Sequence, residues 1–577
     1  MAELIQDGAA LARAVERLVG RPVLACDLET TGLDPHRDEV LLVQVGDDRY
    51  QIAVDARKVT DLSPLQAVLE RDGITVFHNA QFDLKFLKKV GLTVSRPQDT
   101  MMLETLLAGG RRVGARTLKA CSERRVGLSL DKAVRSSFER MEGELTEAQI
   151  DYAIDDVLAT YHLFLEQSRE IEREGMQLAA QIEGAATLAF ADLEYHGINL
   201  DRPAWEAILE RAQVARDEAR GKLEKALLPV VGGDLFGNVN VNYESESELR
   251  DVFARLGFPD LPGLDKETLG GLDHPVAREL LIYRNHQKTL SSYGEGFLAH
   301  IHPVTGRLHP RFRQIGAATG RASCDSPNLQ NVKKGEGFRE AFCAPPGRKM
   351  ITADYATCEL RILAQLSLDP AFLRSFEKGE DLHSAVATEL FGKTVTKETE
   401  PELRNRAKAI NFGLVYGMGA GGLASSLGIS RNEAEKLLEG YFEKFPRVKR
   451  YLEGSVREAL QRGHCETLSG RRLYLDGASE PEKRPHLERV ARNMPVQGAS
   501  ADITKLAMAR LTRHYQREGI DAFLVNTIHD ELLVEVDADR AEEAARVLEQ
   551  EMVAAGDRFL PKVPTVVDVM VSDHWSK

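Results

Sequence analysis

Asp27 and Glu29, in the segment CDLETTG, stand two residues apart on what reads as a β-strand. Residues i and i+2 of a strand point to one face, so two like charges are held close, and a divalent cation relieves that repulsion. Hard carboxylate oxygens suit Mg2+ or Mn2+. Asp83 in HNAQFD and Asp156 in YAIDD bring two further acids. Taken one at a time, such acids are ordinary surface residues at the ends of elements. As a set they are more telling, as candidate ligands of a divalent metal ion.

The second half of the chain carries a different constellation. Asp354 and Glu359 lie in TADYATCELR, and Asp530 and Glu531 lie in TIHDELLVEV. Two short apolar strands each deliver an acid near a strand end, although HDE alone also fits a plain hairpin turn. A third segment changes its meaning. In PELRNRAKAINFGLVYGMG, Arg404, Lys408, Phe412 and Tyr416 recur every four residues, which makes one slowly drifting stripe on a helix. Arginine offers a fork for phosphate oxygens, and lysine offers a point charge and a proton. The two aromatics beyond them could meet a sugar and a base. An amphipathic helix with snorkelling cations is the plainer reading; it accounts less well for a stripe that runs from cationic to aromatic.

The N-terminal set, Asp27-x-Glu29, Asn79-x-x-x-Asp83 and Tyr152-x-x-x-Asp156, resembles the three motifs of the DEDDy 3′→5′ exonucleases, and TLKACSERRVGLSLDK resembles the helical stretch of ribonuclease D-like members. The resemblance covers residues 1–175. It implies that Asp27, Glu29, Asp83 and Asp156 hold two metal ions and that Tyr152 orients the attacking water. The remainder, residues 176–577, resembles the family A DNA polymerases. Motif A is DYATCELR, motif B is the Arg404–Lys408–Phe412–Tyr416 stripe followed by Gly417, and motif C is His529-Asp530-Glu531. Further matches are TGRASCDSPNLQN around Arg321, DLHSA around His383, and RVARNMPVQGASAD around Arg489, Asn493 and Gln497.

This second resemblance implies that Asp354 and Asp530 bind two catalytic Mg2+ ions, with Glu531 supporting them. Arg404, Lys408 and His383 would grip the incoming triphosphate, with Lys408 as the proton donor to pyrophosphate. Glu359 would block a ribose 2′-hydroxyl, Phe412 would pack on the sugar, and Tyr416 would lie beside the nascent base pair. Arg321 and Gln497 would probe the minor groove, where purine N3 and pyrimidine O2 are acceptors common to all correct pairs. Arg489 and Asn493 would assist them, and His529 would lie near the primer terminus. Two departures stand out. Motif A usually reads Ser-Gln-Ile where this chain has Ala356-Thr357-Cys358, so the hydrogen bond of the usual glutamine is lost. The exonuclease-like segment also begins almost at once, so no 5′ nuclease domain is expected ahead of it.

The elements that must position these residues can be read from periodicity. RPVLACDLET, DEVLLVQVGD, RYQIAVDA and ITVFHN read as strands, with LSPLQAVLERDG as a helix between the last two; together they make an α/β domain on a mixed sheet. Helical patterns follow from DYAIDDVLATYHLFLEQSREIERE through AWEAILERAQVARDEARGKLEKALL. Residues 229–275, rich in Gly, Pro and Asp, read as loop, 371–463 as a helical block, and the last hundred as helix, strand, turn, strand, helix and strand. The fold class is thus multidomain α/β and α+β, a ribonuclease H-like exonuclease followed by a right hand. The expected division is 1–175 exonuclease, 176–300 thumb, 301–370 palm, 371–483 fingers and 484–577 palm again. Gly417-Met418-Gly419-Ala420-Gly421-Gly422 follows a helix rather than a strand, so it reads as a turn between helices and not as a nucleotide loop. Lys333, Lys334, Arg471 and Arg472 are basic spots that could contact phosphate, and Trp205 and Trp575 read as packing residues.

With 577 residues, 43% hydrophobic and 28% charged, the chain has ordinary globular composition, which excludes a single small module, wholesale disorder and collagen-like repeats. A net charge of −14 argues against a cationic coat protein, but not against a locally basic cleft. The six cysteines form no CxxC pair or zinc spacing, which suggests a reducing compartment. The expectation is a soluble, cytoplasmic monomer acting on primer-template DNA with dNTPs, with no membrane partner. The rival readings are a ribonuclease D-like 3′→5′ RNA exonuclease with an accessory C-terminal region, and a DNA-binding structural protein. The first leaves the aromatic-cationic stripe without a task, and the second leaves eight carboxylates without one.

Overall fold

The computed structural model describes residues 2–131, 133–138, 141, 143–236, 238–415 and 417–576, and the chain divides into two compact units. One comprises Met1–Gly197, Pro310–Asn331 and Ala344–Asp573; the other comprises Ile198–His309, Val332–Cys343 and His574–Lys577. Both groups of acids fall in the first unit.

That unit opens with a six-stranded mixed sheet: β1 (Ala2–Ile5), β2 (Val23–Thr30), β3 (Val40–Gly46), β4 (Gln51–Asp55), β5 (Ile74–Phe77) and β6 (Pro97–Asp99), in the order β1-β4-β3-β2-β5-β6. β2, β3 and β4 form the expected antiparallel meander, while β5 and β6 add in parallel. Every residue of β3 and β4 is buried, as a sheet covered on both faces requires. The helix Glu147–Arg173 packs on this sheet. Its start is set by a capping box in which Thr146 and Gln149 bond each other's backbone N–H groups. The segment LSPLQAVLERDG forms less helix than expected, a 3-10 turn at Ser63–Leu65 and one α-turn at Gln66–Leu69. Arg71 ends it by donating to the carbonyls of Val68 at 2.6 Å and Arg21 at 2.8 Å.

A four-stranded antiparallel sheet forms the second framework of this unit. Its order is Ala522–Ile528, Glu531–Asp537, Arg348–Tyr355, Val567–Ser572. The 35-residue helix Arg484–Glu518 packs between the helices Gln177–His196 and Ala541–Phe559. Helices fill the segment from Pro370–Glu377 to Pro446–Arg462; of the glycine-rich run, residues 417–419 form the expected turn after Pro401–Val415, while Ala420, Gly421 and Gly422 already begin the helix Ala420–Leu427.

In the second unit, Arg202–Val231 and Pro275–Tyr293 run along each other. Trp205 is fully buried, stacked on Phe297 at 4.6 Å and edge-on to Tyr293, Phe338 and Phe342, and its Nε1 donates to the Tyr293 carbonyl at 2.9 Å. Trp575 packs against Phe342 in the same cluster. Both tryptophans are packing residues. The expected loop at 229–275 is partly helical, with Glu246–Arg255 capped by Ser245 and Lys266–Gly270 capped by Asp265. Leu249, Val252 and Phe253 make an i, i+3, i+4 stripe that joins Leu223 and Leu227 in the core, and that burial overrides the turn-like composition around it. The six cysteines are free. Among the described residues no helix is long and apolar enough to cross a membrane.

Candidate active sites

The N-terminal acids converge from three elements. β2 presents Asp27 and Glu29, and the helix Glu147–Arg173 presents Tyr152 and Asp156 one turn apart. Carboxylate oxygens of Asp27, Glu29 and Asp156 lie within 4.8 Å of one another. Asp83 comes from the first turn of Ala80–Lys89. It stands outside that close trio, yet burial first, then the charges of Asp27 and Asp99, push its carboxyl well up. Asn79 enters this helix in the left-handed region, φ 73°, because Asp99 accepts the Asn79 and Ala80 N–H groups at 3.0 and 2.9 Å. Burial, then Asp156, Glu29 and Asp27, push the Tyr152 phenol up, so it keeps its proton. The donor set fits a hard divalent cation. It consists of carboxylate oxygens packed against their mutual repulsion, and Oδ1 of Asp83 is buried with no hydrogen-bond partner.

The second set gathers at one end of the four-stranded sheet. Asp354 is the penultimate residue of Arg348–Tyr355, and the register sets it opposite Glu531 on one side and Asp568 on the other. Asp530 sits in the tight turn before Glu531, where His529 has φ 57°. The Tyr355 N–H faces the Asp530 carbonyl at 3.4 Å. Burial, then the Asp354 carboxylate, push the Asp530 carboxyl up to about 7, the signature of two acids that want a cation between them. Glu359, 7% exposed, lies in the first turn of Cys358–Ser367, and its Oε1 accepts from Arg321 Nη2 at 2.6 Å. Where the usual motif has glutamine, the Thr357 hydroxyl turns back to the Ala356 carbonyl at 2.7 Å, and the next residue, Cys358, is buried against the Ser500 hydroxyl at 3.6 Å.

The helix Pro401–Val415 carries the stripe. Arg404 is half-buried and bonded to Asp381 through Nε at 2.5 Å and Nη2 at 3.2 Å; Lys408 is exposed, its Nζ 6.0 Å from the Phe412 ring centre. Tyr416 lies outside the described residues. His383 is 4% exposed, 5.6 Å from the Phe412 ring. Burial holds its imidazole down to about 4, so it is neutral near pH 7. Tyr441 donates to Asn411 Oδ1 at 3.0 Å, which turns Asn411 Nδ2 toward His383 Nδ1 at 3.1 Å and leaves Nε2 as the ring's donor. Arg489, Asn493 and Gln497 recur every four residues along Arg484–Glu518. Oδ1 of Asn493 is buried and finds no hydrogen-bond partner, while Gly417, φ 68°, lies close against Arg489: a Cβ there would come 3.3 Å from the Arg489 Cα.

Among the basic spots, Arg471 departs from expectation. It is 2% exposed and paired with Asp502 and Glu183, so it cannot reach a phosphate in solvent. Arg472 pairs with Glu174 and Lys333 with Glu336, while Lys334 is exposed.

A model of the 3'-5' exonuclease family matches residues 2–172, and the model of DNA polymerase family A matches residues 210–577. The chain belongs to DNA polymerase family A. Each group of acids therefore falls within its own family match, and the reading as an RNA exonuclease with an accessory region is not favoured, because that region itself matches the polymerase family. The chain is 31% identical to DNA polymerase I of Aquifex aeolicus over 98% of both chains. It is 32% identical to DNA polymerase I of Chloroflexus aurantiacus over its whole length, but spans only 63% of that relative. A solved structure described as the POL domain of Pol1 from M. smegmatis, in complex with DNA primer-template and dNTP, superposes with a TM-score of 0.85 at 28% identity, covering 100% of this chain and 99% of that one. Family A polymerases and their exonuclease domains work with divalent metal ions.

Several residues around these sites are not singled out by sequence motifs. Asp99 pins the start of the Asp83 helix, Asp568 faces Asp354, Asp381 holds Arg404, and Asn411 with Tyr441 orients His383. Local signals existed for Asp99 and Asp381, acids placed just before the helices Thr100–Ala108 and Leu382–Phe391, whose N-termini they cap.

Proposed function

We propose that this family A polymerase extends a DNA primer on a template with dNTPs, and removes nucleotides from the 3′ end at a separate site. The observation that carries the reading is the convergence of Asp354 and Asp530 at one sheet end, with the Asp530 carboxyl pushed up by its neighbour. In this reading residues 1–175 are the exonuclease, 176–300 the thumb, 301–370 and 484–577 the palm, and 371–483 the fingers.

Asp354 and Asp530 would hold two Mg2+ or Mn2+ ions, and Asp27, Glu29, Asp83 and Asp156 two more. Bound there, such ions supply positive charge that activates the attacking oxygen and stabilises the leaving one. Glu531, opposite Asp354, supports the first site. Arg404 and Lys408 bind the triphosphate, and Lys408, exposed on the stripe, gives its proton to the departing pyrophosphate. Neutral His383 contributes a hydrogen bond from Nε2 rather than a charge. Glu359, held by Arg321, bars a 2′-hydroxyl, Phe412 packs on the sugar, and Tyr416 meets the nascent base pair. Arg321, Gln497, Arg489 and Asn493 read the minor-groove side of the primer end, and the open Oδ1 of Asn493 suits an acceptor that waits for a donor. His529 packs near the primer terminus. In the exonuclease, Tyr152 keeps its proton and orients the attacking water by donating to it. The test is primer extension by the purified chain, with and without dNTPs. Lengthening with dNTPs and shortening without them are expected; shortening alone would contradict the polymerase reading.

A further inference from the structure

Four charged side chains that touch no candidate substrate group meet in the interior of the first unit. Glu183, on the helix Gln177–His196, and Asp502 are fully buried, and Arg471 and Lys505 are each 2% exposed. Arg471 binds Glu183, and reaches Asp502 Oδ1 through Nε at 3.0 Å and Nη2 at 2.6 Å. Lys505 Nζ donates to Glu183 Oε1 at 2.6 Å, and the hydroxyls of Thr467 and Ser469 donate to Asp502 Oδ2 at 3.0 and 2.6 Å. Two carboxylates thus face two cations. Burial pushes the Glu183 carboxyl up, but Lys505 and Arg471 outweigh it and hold it below the usual range. A buried ion set of this kind is weak evidence for stability, since an apolar cluster of equal volume does as well. What it supplies is fixed geometry.

The segments it joins are those that carry the minor-groove probes. Gln314, 1% exposed, donates to the Glu183 carboxylate at 2.5 Å and to its carbonyl at 2.7 Å. It begins a loop in which the Gly316 and Ala317 N–H groups both close on the Arg321 carbonyl, at 2.9 and 3.0 Å. Gly320 of that loop, φ 91°, lies flat on the Arg471 guanidinium: a Cβ there would come 2.7 Å from its Nε. On the long helix, Gly498 follows Gln497 directly. A Cβ on Gly498 would come 3.0 Å from the Thr319 carbonyl and would strike the Thr467 methyl. The loop bearing Arg321 and the helical turn bearing Gln497 are therefore both seated on one buried node.

We infer that Glu183, Arg471, Asp502 and Lys505 are positioning residues that fix the Arg321 loop against the Gln497 turn, and so set how strictly a primer terminus must be paired before it is extended. The inference rests on the proposed roles of Arg321 and Gln497. Strictness of this kind requires two donors at a fixed separation, because a mispair displaces one groove acceptor relative to the other. Loosening the node lets each donor follow a displaced acceptor.

The experiment measures extension from a matched and from a mispaired primer end for Glu183→Gln and for the milder Ser469→Ala, which removes one hydroxyl from Asp502. Arg321→Ala, Gln497→Ala and the Glu183→Gln/Gln497→Ala double variant complete the series. Thermal unfolding and single-strand 3′ degradation report whether each variant is folded. The expected result is a rise in the mispaired-to-matched ratio of about three- to thirty-fold for Glu183→Gln, smaller for Ser469→Ala, and not additive with Gln497→Ala. If Glu183→Gln does not fold, Ser469→Ala decides. Unchanged ratios with lowered melting temperatures, or additive effects, would overturn the inference and leave the node a structural one. If Arg321→Ala and Gln497→Ala themselves leave the ratio unchanged, the minor-groove reading falls and takes this inference with it.

Discussion

Replacing Glu359 by alanine should admit ribonucleotides. The side chain is 7% exposed, rises from the first turn of Cys358–Ser367, and is held by Arg321 at 2.6 Å, so it cannot swing aside without giving up a charge-assisted bond. Forcing extra atoms into a packed site costs about 1–3 kcal/mol, and relief of that clash corresponds to roughly a five- to 150-fold gain in relative ribonucleotide use. The assay is single-nucleotide incorporation of CTP against dCTP, comparing kcat/KM ratios. Glu359→Gln separates bulk from charge, since it keeps the volume and weakens the Arg321 bond. Alanine should relax discrimination and glutamine should largely preserve it. An unchanged ratio in Glu359→Ala would refute the steric argument, and equal relaxation in both variants would assign the effect to the ion pair.

Two further outcomes follow from the helical stripe. Phe412 carries no hydroxyl, so wild type should discriminate against dideoxynucleotides, and Phe412→Tyr should accept them roughly ten- to a hundred-fold better through one added bond to a charged phosphate; ddTTP against dTTP incorporation measures it, and an unchanged ratio would mark Phe412 as a core residue only. His383, held down to about 4 from 6.5 by burial, binds a proton in the unfolded chain before it does in the folded one, so its contribution is complete above pH 6.5 and falls as pH drops toward 4. Between pH 7 and 4.5, wild type should lose up to about 2–3 kcal/mol more than His383→Gln in urea unfolding followed by a fingers-localised probe, and parallel losses would contradict the buried neutral state.

What could be read in advance was local. Asp27 and Glu29 share a strand face by period alone, and the Arg404–Lys408–Phe412 side of a helix follows from a four-residue spacing. Asp354 and Asp530 could be assigned to strand ends, but that register sets Asp354 between Glu531 and Asp568 is a property of the sheet. Arg471 shows the limit most plainly. Beside Arg472 it resembles a solvated basic spot, yet its partner Glu183 is 288 residues away and Lys505 reaches the same carboxylate across 322. No window of sequence reports such a pair. The helices within 229–275 were hidden for the opposite reason: their Gly, Pro and Asp neighbours dominate composition, and only burial against Leu223 and Leu227 selects the short apolar stripe.

The central claim is that one chain holds two independent carboxylate sites, and the direct test is a single labelled primer-template given to wild type, the Asp27→Ala/Glu29→Ala variant and Asp354→Ala. Removing a ligand from a two-metal site should cost several kcal/mol, hence roughly a thousand-fold or more in rate. The first variant should extend the primer normally and no longer trim it, and the second should trim normally and no longer extend. Normal trimming by the Asp27→Ala/Glu29→Ala variant, or normal extension by Asp354→Ala, would contradict the account.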